Sequence, residues 1–299
     1  MQYFQNFELK NYTSFKIGGA AKNVYYPETI EEFIELLVKL QNPLILGGMS
    51  NVLISSNGIN NDLILTKKLS AFQVNENVVY AQSGVMGPIL SRKATENELS
   101  GMEFMCGFPG SIGGIVSMNA GAHKQCISDI FKQATVFNKK TKEVKTFYKD
   151  DMNFDYRKSI ILNSEFVILD ATFELIKKSK MEIQEKVNAN QEFRKNKQPN
   201  LSTPNCGSVF KNPPNDSAGR LLEVVGAKTF KEGGAKVYEN HANFIINFDN
   251  ATSTDVSKLM KKMYNEVNKK FNIKLRPEVR FIGEMNEEEK EIWNELLSN

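Results

Sequence analysis

The stretch that decides how this chain is read is Cys106-Gly-Phe-Pro-Gly-Ser-Ile-Gly-Gly-Ile-Val-Ser-Met-Asn-Ala-Gly-Ala122. It places Gly110, Ser111, Gly113 and Gly114 at an expected helix N-terminus, where glycine permits close backbone approach and the helix dipole favours an anion. A second loop of the same character lies upstream. The apolar run Leu44-Ile-Leu46 reads as a short buried strand that opens into Gly47-Gly48-Met49-Ser50-Asn51. Such a loop brings backbone N–H groups and two short polar side chains to one place, as holding a diphosphate without a lysine requires. Each loop by itself also reads as an ordinary tight turn.

Outward from these loops, helices and strands alternate. Thr29-Ile-Glu-Glu32 has the form of a capping box, and Ile30, Phe33, Ile34 and Leu37 follow at helical spacing. This helix is expected to end near Asn42-Pro43, because the residue before a proline resists helix. Strands are expected at Val52–Ile54 and Leu63–Leu65, and a helix with Pro88 in its first turn stops before Gly101. A hairpin is expected over Ala134–Phe147, a long strand over Phe166–Ile176 and a polar helix over Met181–Lys197.

The proline-punctuated loop Gln198–Pro204 marks a change in composition. After it come a helix near Ser217–Val225, a strand at Asn243–Phe248 and an amphipathic helix at Asp255–Phe271. In that last helix Val256, Leu259, Met260, Met263 and Val267 form one stripe. A final strand, Ile273–Ile282, precedes a charged tail. The expected class is α+β or α/β without internal repeats.

Composition excludes several functions. The 299 residues are 41% hydrophobic and 24% charged, with 38 basic against 35 acidic side chains and a net charge of +3. That is an ordinary globular composition with no basic stripe for nucleic acid. No apolar run is long enough to span a membrane, and the N-terminus lacks a signal-peptide layout, so a cytoplasmic protein is expected. Cys106, Cys126 and Cys206 are too far apart for a C-x-x-C site, and His123 and His241 are the only histidines. No multi-histidine metal site can be built, and no metal is expected. Walker and Rossmann fingerprints are missing too, so any dinucleotide is held on another scaffold.

Seven motifs occur in order: Leu46-Gly-Gly-Met-Ser-Asn-Val52, Gly107-Phe-Pro-Gly-Ser-Ile-Gly-Gly114, Met118-Asn-Ala-Gly121, Tyr156-Arg157, Cys206-Gly-Ser-Val-Phe-Lys-Asn-Pro213, His241-Ala-Asn-Phe-Ile-Ile-Asn247 and Pro277-Glu-Val-Arg280. Together, from about residue 10 to residue 284, they resemble the UDP-N-acetylenolpyruvoylglucosamine reductase (MurB) family in its shorter, second type. The resemblance selects α+β and implies an FAD-binding domain of the vanillyl-alcohol-oxidase type over 1–180, with lobes at about 1–68 and 69–180. A substrate-binding domain would follow over 181–299.

It implies non-covalent FAD on Gly47, Gly48, Met49, Ser50, Asn51, Gly110, Ser111, Gly113, Gly114, Asn119 and Gly121. NADPH would be the reductant, and UDP-N-acetylglucosamine enolpyruvate would be reduced to UDP-N-acetylmuramate for peptidoglycan. A monomer is expected.

The same resemblance gives three residues catalytic roles. Arg157 would hold the substrate carboxylate, as a guanidinium does well through paired charge-assisted hydrogen bonds. Ser208 would deliver the proton to the carbon bearing the ether oxygen. Glu278, protonated when it works, would donate a hydrogen bond to the developing charge. Asn212 and His241 would contact the nucleotide sugar, with Arg194 and Lys197 able to meet the diphosphate of the substrate.

Read without the resemblance, each has a plainer alternative. Arg157 could end a surface loop, Ser208 could be a small packing residue, and His241 could be structural. Glu278 could pair with Arg276 or Arg280. Met49 and Cys106 stand where smaller residues are expected. Two rival functions also remain: another flavin oxidase or dehydrogenase on the same scaffold, and a nucleotide-binding regulator without turnover. The joint presence of Arg157, Ser208 and Glu278 argues against the regulator.

Overall fold

The computed structural model describes residues 1–107 and 109–298, and the chain packs as two compact units. The first comprises Met1–Phe4, Val24–Gly48 and Asp62–Phe193; the second comprises Gln5–Asn23, Met49–Asn61 and Arg194–Asn299. The class is α+β, as expected from the sequence.

In the first unit, helix α1 (Ile30–Lys39) begins where Thr29 Oγ1 accepts from the Glu32 amide at 3.2 Å. Glu32 reaches back to the amide of Glu28 rather than to that of Thr29. Phe33, Leu36 and Leu37 face a core that includes Ile64, Leu69, Phe137, Val167 and Leu169. The chain turns at Asn42, which has φ of 50°, just before Pro43. Leu44–Leu46 then pairs in parallel with residues 63–65.

A five-stranded antiparallel sheet follows, in the order Val144–Tyr148, Phe131–Asn138, Phe166–Glu174, Val78–Gln82, Phe72–Asn75. Ala134, Ala171 and Ala81 align across its three central strands, all fully buried. That row of methyl groups leaves room for helices α2 (Gly87–Glu96) and α3 (Ile112–Ser117). Leu90, Ala94, Ile112, Ile115 and Val116 share the core with it. Helix α4 (Lys180–Lys197) is polar and mostly exposed, with Ile183 and Val187 as its buried residues.

In the second unit a four-stranded antiparallel sheet takes the order Asn205–Ser208, His241–Asn247, Ala235–Tyr238, Lys231–Glu232. Helices α5 (Ala218–Val224) and α6 (Ser253–Phe271) share its core. The expected stripe on α6 is buried at all five positions.

Three expectations need correction. The final strand is Arg280–Ile282 alone, paired in parallel with Val52–Ile54. Pro277 carries no N–H, and residues 273–279 make only irregular pairing, including a single bridge between Phe210 and Pro277. The long strand of the first unit ends at Glu174, and Ile176–Lys177 pairs instead with Leu99–Ser100. The charged tail is a helix, α7 (Glu287–Leu297). Its Ile292, Trp293 and Leu296 are buried, and the Glu289 carboxylate accepts from Ser253 Oγ at 2.6 Å and Thr254 Oγ1 at 3.0 Å.

The short hairpin pairing Gly121–Ala122 with Gln125–Cys126 turns on His123 and Lys124, at φ of 54° and 64°. Such turns favour glycine or asparagine, because the left-handed region costs an L-residue about 1–2 kcal/mol. Lys124→Gly is therefore expected to stabilise the protein by about 0.5–1 kcal/mol, after allowing for glycine's greater unfolded-state entropy. Thermal denaturation checks this; an unchanged or lowered melting temperature contradicts it.

Candidate functional site

The two glycine loops meet at Gly48 and Ser111. The Gly48 amide donates to Ser111 Oγ at 3.2 Å. A Cβ on Gly47 would lie 1.8 Å from Ser111 Oγ, so a side chain there requires the Ser111 hydroxyl to move. A Cβ on Gly48 would meet the Ser111 nitrogen at 3.2 Å and Gly110 Cα at 3.3 Å.

The second loop is stitched to the segment before α2. Gly87 donates to Gly110 O, Ile112 to Val85 O and Gly113 to Ser83 O, each at 2.8 Å. The amides of Ile112 and Gly113 are thus occupied by protein. Gly114 is exposed, and the space beside its Cα is open. Phe108 of this motif lies outside the described residues.

Beneath the loop, Ser83 Oγ is buried with no hydrogen-bond partner among the described residues. An unsatisfied buried hydroxyl costs about 1–3 kcal/mol and calls for an explanation. Two loops held backbone against backbone, with an orphaned hydroxyl beside them, fit a bound polar group such as a dinucleotide.

Asn119 and Gly121 form part of the support for Arg157. Asn119 is buried at φ of 44°; its Oδ1 accepts from Ser128 N at 3.0 Å and its Nδ2 donates to Asp155 O at 3.1 Å. Asp155 and Lys158 exchange backbone hydrogen bonds, both 3.1 Å, closing a tight turn that carries Tyr156 and Arg157. Arg157 takes φ of 53°, at the turn position where glycine is usual. Its Nη2 donates to Gly121 O at 3.0 Å, and its guanidinium carbon lies 5.3 Å from the Tyr156 ring centroid. The arginine is therefore held from the loop side rather than trailing into solvent.

In the second unit, Ser208 and Glu278 lie on neighbouring backbone segments. Glu278 N donates to Val209 O at 2.8 Å, and Lys211 N donates to Arg276 O at 2.9 Å. Gly207 has φ of 80° and its amide donates to Asn205 Oδ1 at 2.9 Å, where the pairing with His241–Asn247 slips register. A bulge of this kind re-aims the side chain that follows it, here Ser208. Asn51 Nδ2 donates to Glu278 O at 3.0 Å. Met49 is buried at φ of 48°, and its carbonyl accepts from Ser14 N at 3.3 Å. Ser14 Oγ also donates to Asn205 O at 2.7 Å, so one serine ties the Met49 turn to the strand bearing Ser208. Burial pushes the Cys206 thiol well up, with the Glu278 charge adding to it; this thiol is not a nucleophile at neutral pH.

Asn212 and His241 meet the first turn of α5. Asn212 Oδ1 accepts from Ala218 N at 3.0 Å. A Cβ on Gly219 would lie 3.2 Å from His241 Cε1, so the helix start is seated against the imidazole. His241 Nδ1 accepts from Asn243 N at 3.3 Å, which assigns the proton of the neutral ring to Nε2. Burial is the main cause that lowers its pKa, with Lys228 and Lys197 contributing in the same direction. Arg194 is half-buried in the last turn of α4 and Lys197 is exposed.

Sequence reasoning misses Ser14, Ser83 and Gly219, since a lone serine or glycine carries no periodic signal. Asn243 is signalled by its place in the His241-Ala-Asn motif. Its Nδ2 donates to Phe210 O at 2.8 Å and its Oδ1 accepts from Phe210 N at 3.0 Å.

Residues 198–282 match the family described as the UDP-N-acetylenolpyruvoylglucosamine reductase C-terminal domain, and residues 21–146 match an FAD binding domain. The chain is 40% identical over 290 residues to the UDP-N-acetylenolpyruvoylglucosamine reductase of Caldicellulosiruptor bescii, covering 95% of this chain and 92% of that one. It is 38% identical to the enzyme of that name from Staphylococcus carnosus, covering 94% and 92%. The crystal structure of the Thermus caldophilus UDP-N-acetylenolpyruvylglucosamine reductase superposes with a TM-score of 0.80 at 28% identity, covering 94% of this chain and 98% of that chain.

Ser83→Ala deletes the orphaned hydroxyl and is expected to raise the melting temperature of the protein without cofactor, by about 1 kcal/mol of stability. A lowered melting temperature would show that the hydroxyl has a partner. His241 gives a pH dependence. Its folded pKa is below the ordinary 6.5, so the unfolded state takes up the proton first as pH falls. Its contribution is complete above 6.5 and lost progressively below. His241→Gln should flatten the decline in stability between pH 6.5 and 5; an unaltered decline rejects the assignment.

Proposed function

The chain belongs to the UDP-N-acetylenolpyruvoylglucosamine reductase family, and we propose that it reduces UDP-N-acetylglucosamine enolpyruvate to UDP-N-acetylmuramate with electrons from NADPH. The protein is an FAD-dependent oxidoreductase of peptidoglycan synthesis. The observation that carries the reading of its residues is the adjoining placement of Ser208 and Glu278, through the Glu278 N to Val209 O bond. A hydroxyl and a carboxyl on neighbouring backbone segments suit a reaction that needs one proton delivered and one negative charge steadied.

The glycine loops suit FAD on their own geometry. Gly47 and Gly48 admit no side chain or a tight one, and Gly114 leaves open backbone. Gly47, Gly48, Gly110, Ser111, Gly113 and Gly114, with Met49 and Ser50, are the proposed holders of the cofactor; Asn51, which its motif also assigns to the cofactor, directs its side-chain amide to Glu278 O. FAD bound there and reduced by NADPH would supply the hydride for the terminal vinyl carbon.

The remaining chemistry belongs to the protein. As the vinyl carbon gains hydride, negative charge spreads onto the neighbouring carbon and its carboxylate. Arg157 pairs with that carboxylate, and a guanidinium fixed by Gly121 O and the Tyr156 ring need not reorganise to do so. Glu278 donates a hydrogen bond to the same developing charge from its carboxylic acid. Ser208 gives its hydroxyl proton to the carbon bearing the ether oxygen; a hydroxyl is a weak acid, but the carbon is a far stronger base. Water returns the proton to Ser208 afterwards.

His241, as a neutral Nε2–H donor, and Asn212 bind the nucleotide sugar, while Arg194 and Lys197 meet its diphosphate. Among the described residues no helix is long and apolar enough to cross a membrane. The enzyme acts in the cytoplasm, where both of its proposed substrates are soluble, and as a monomer.

Anaerobic mixing tests the reading. The FAD-loaded protein should bleach with NADPH and regain its yellow colour when the enolpyruvyl sugar is added. Ser208→Ala should bleach at the wild-type rate and recolour at least about 10²-fold more slowly. A wild type that does not bleach, or bleaches and stays colourless, rules the proposal out.

A further inference from the structure

Asn51 closes the Gly47-Gly48-Met49-Ser50-Asn51 stretch, yet its amide is engaged with the protein. Nδ2 donates to Glu278 O at 3.0 Å, and the Asn51 carbonyl accepts from Arg280 N at 3.2 Å. The parallel ladder between residues 52–54 and 280–282 begins only at the next residue pair, Val52 with Arg280. Before it, the Glu278 N–H is turned to Val209 O, so the ladder does not continue backward through Glu278. The Asn51 side chain therefore adds one rung beyond the end of the ladder, at the residue where strand geometry stops.

On its other edge Glu278 is held by the bond from its N–H to Val209 O, next to Ser208. The peptide units flanking Glu278 are thus gripped from two sides: by the segment bearing Ser208 and by Asn51. Without Asn51 the Glu278 carbonyl loses a partner that is half-buried with it.

Building on the proposed role of Glu278, we infer that Asn51 is a positioning residue for the reduction of the enolpyruvyl group. It fixes the backbone from which Glu278 projects and so sets where that carboxyl stands relative to Ser208. The effect of Asn51 is then confined to the half-reaction in which Glu278 works. Bleaching by NADPH does not use Glu278, whereas recolouring by the enolpyruvyl sugar does. Catalytic geometry is sensitive on this scale: a misplacement of about 1 Å costs up to ~10²-fold in rate.

The test is a double-mutant cycle on the FAD-loaded protein. Asn51→Ala removes the donor, and Asn51→Asp keeps the shape while setting an acceptor against the Glu278 carbonyl. Either variant should slow recolouring about tenfold, leave bleaching within about twofold, and displace the pH profile of recolouring. In a Glu278→Gln background Asn51→Ala should add little further loss, because the two residues act through one carboxyl.

Losses that multiply across the two substitutions overturn the inference. So does weakened FAD binding, by fluorescence titration, with recolouring of the bound flavin unchanged, since Asn51 would then be a cofactor contact. A wild type that fails to recolour overturns the functional reading as well; a wild type that recolours normally beside a multiplicative cycle overturns the role of Asn51 alone.

Discussion

Close approach of backbone to backbone is the constraint on which the first unit depends. Ser111 Oγ occupies the space where a side chain on Gly47 would begin, and it accepts the amide of Gly48, 63 residues away in sequence. That contact exists only because Ser111 itself is brought in. Its loop is anchored to Ser83, Val85 and Gly87, and the α3 helix that follows packs on a sheet whose central row is alanine. A larger residue at Ala171 or Ala81 would lift α3 and carry Ser111 away from Gly48. Small residues at successive layers transmit one requirement outward from the loop to the sheet, since a close-packed interior has no slack to absorb the change.

Some of the chain's left-handed residues lie beside the Arg157 turn. Asn119 and Arg157 both take positive φ, Asn119 bonding to Asp155 in that turn, and His123 and Lys124 turn the hairpin that carries Gly121. Each left-handed L-residue costs about 1–2 kcal/mol, least for asparagine. The gain is that Arg157 is held in advance of use by Gly121 O, with Asn119 bonded to the base of the same turn. A guanidinium on a relaxed loop would lose conformational freedom on every encounter with an anion. Fixing it during folding moves that cost out of the binding step.

Local patterns in the chain are legible, and features assembled from distant residues are not. The Thr29 cap and the five-residue stripe of α6 are encoded within single helical segments; the stripe forms as expected, and of the expected capping box the Thr29 half forms while Glu32 accepts from Glu28 N. The tail from Glu287 reads as merely charged because its glutamates outnumber the apolar residues; Ile292, Trp293 and Leu296 suffice to bury one face. The expected final strand runs too far, through Pro277, where apolar alternation conceals a missing donor. In the candidate site the motifs locate Arg157, Ser208, Glu278 and His241 as positions, but not the hydrogen bonds of their neighbours. Their motif assigns Asn119 and Gly121 to the cofactor, while in the fold they bond to Ser128, Asp155 and Arg157. No spacing rule distinguishes an amide that meets a ligand from one that meets a carbonyl.

That ambiguity has a physical origin in asparagine. Its side-chain amide reproduces one peptide unit, with a donor and an acceptor on a short arm. Asn243 uses both, donating to Phe210 O and accepting from Phe210 N, and so supplies a rung where the strand beside it departs from regular pairing. Asn247 donates to Phe15 O and accepts from Ala251 N, Asn205 accepts from Gly207 N, and Asn51 donates to Glu278 O. Each stands at a point where a ladder ends, bulges or meets proline. Functional side chains gather at the same points, because a residue inside a regular ladder can project only straight up or down from the sheet. An irregular segment frees the direction of Ser208 or Glu278 but leaves peptide groups unpaired, and a buried unpaired peptide is costly. Asparagine resolves that conflict, whereas aspartate, lacking the donor, would leave the carbonyl of Phe210 or Glu278 facing an anion. The motif asparagines of the second unit are therefore as much a consequence of aiming side chains off the ladder as of any ligand they meet.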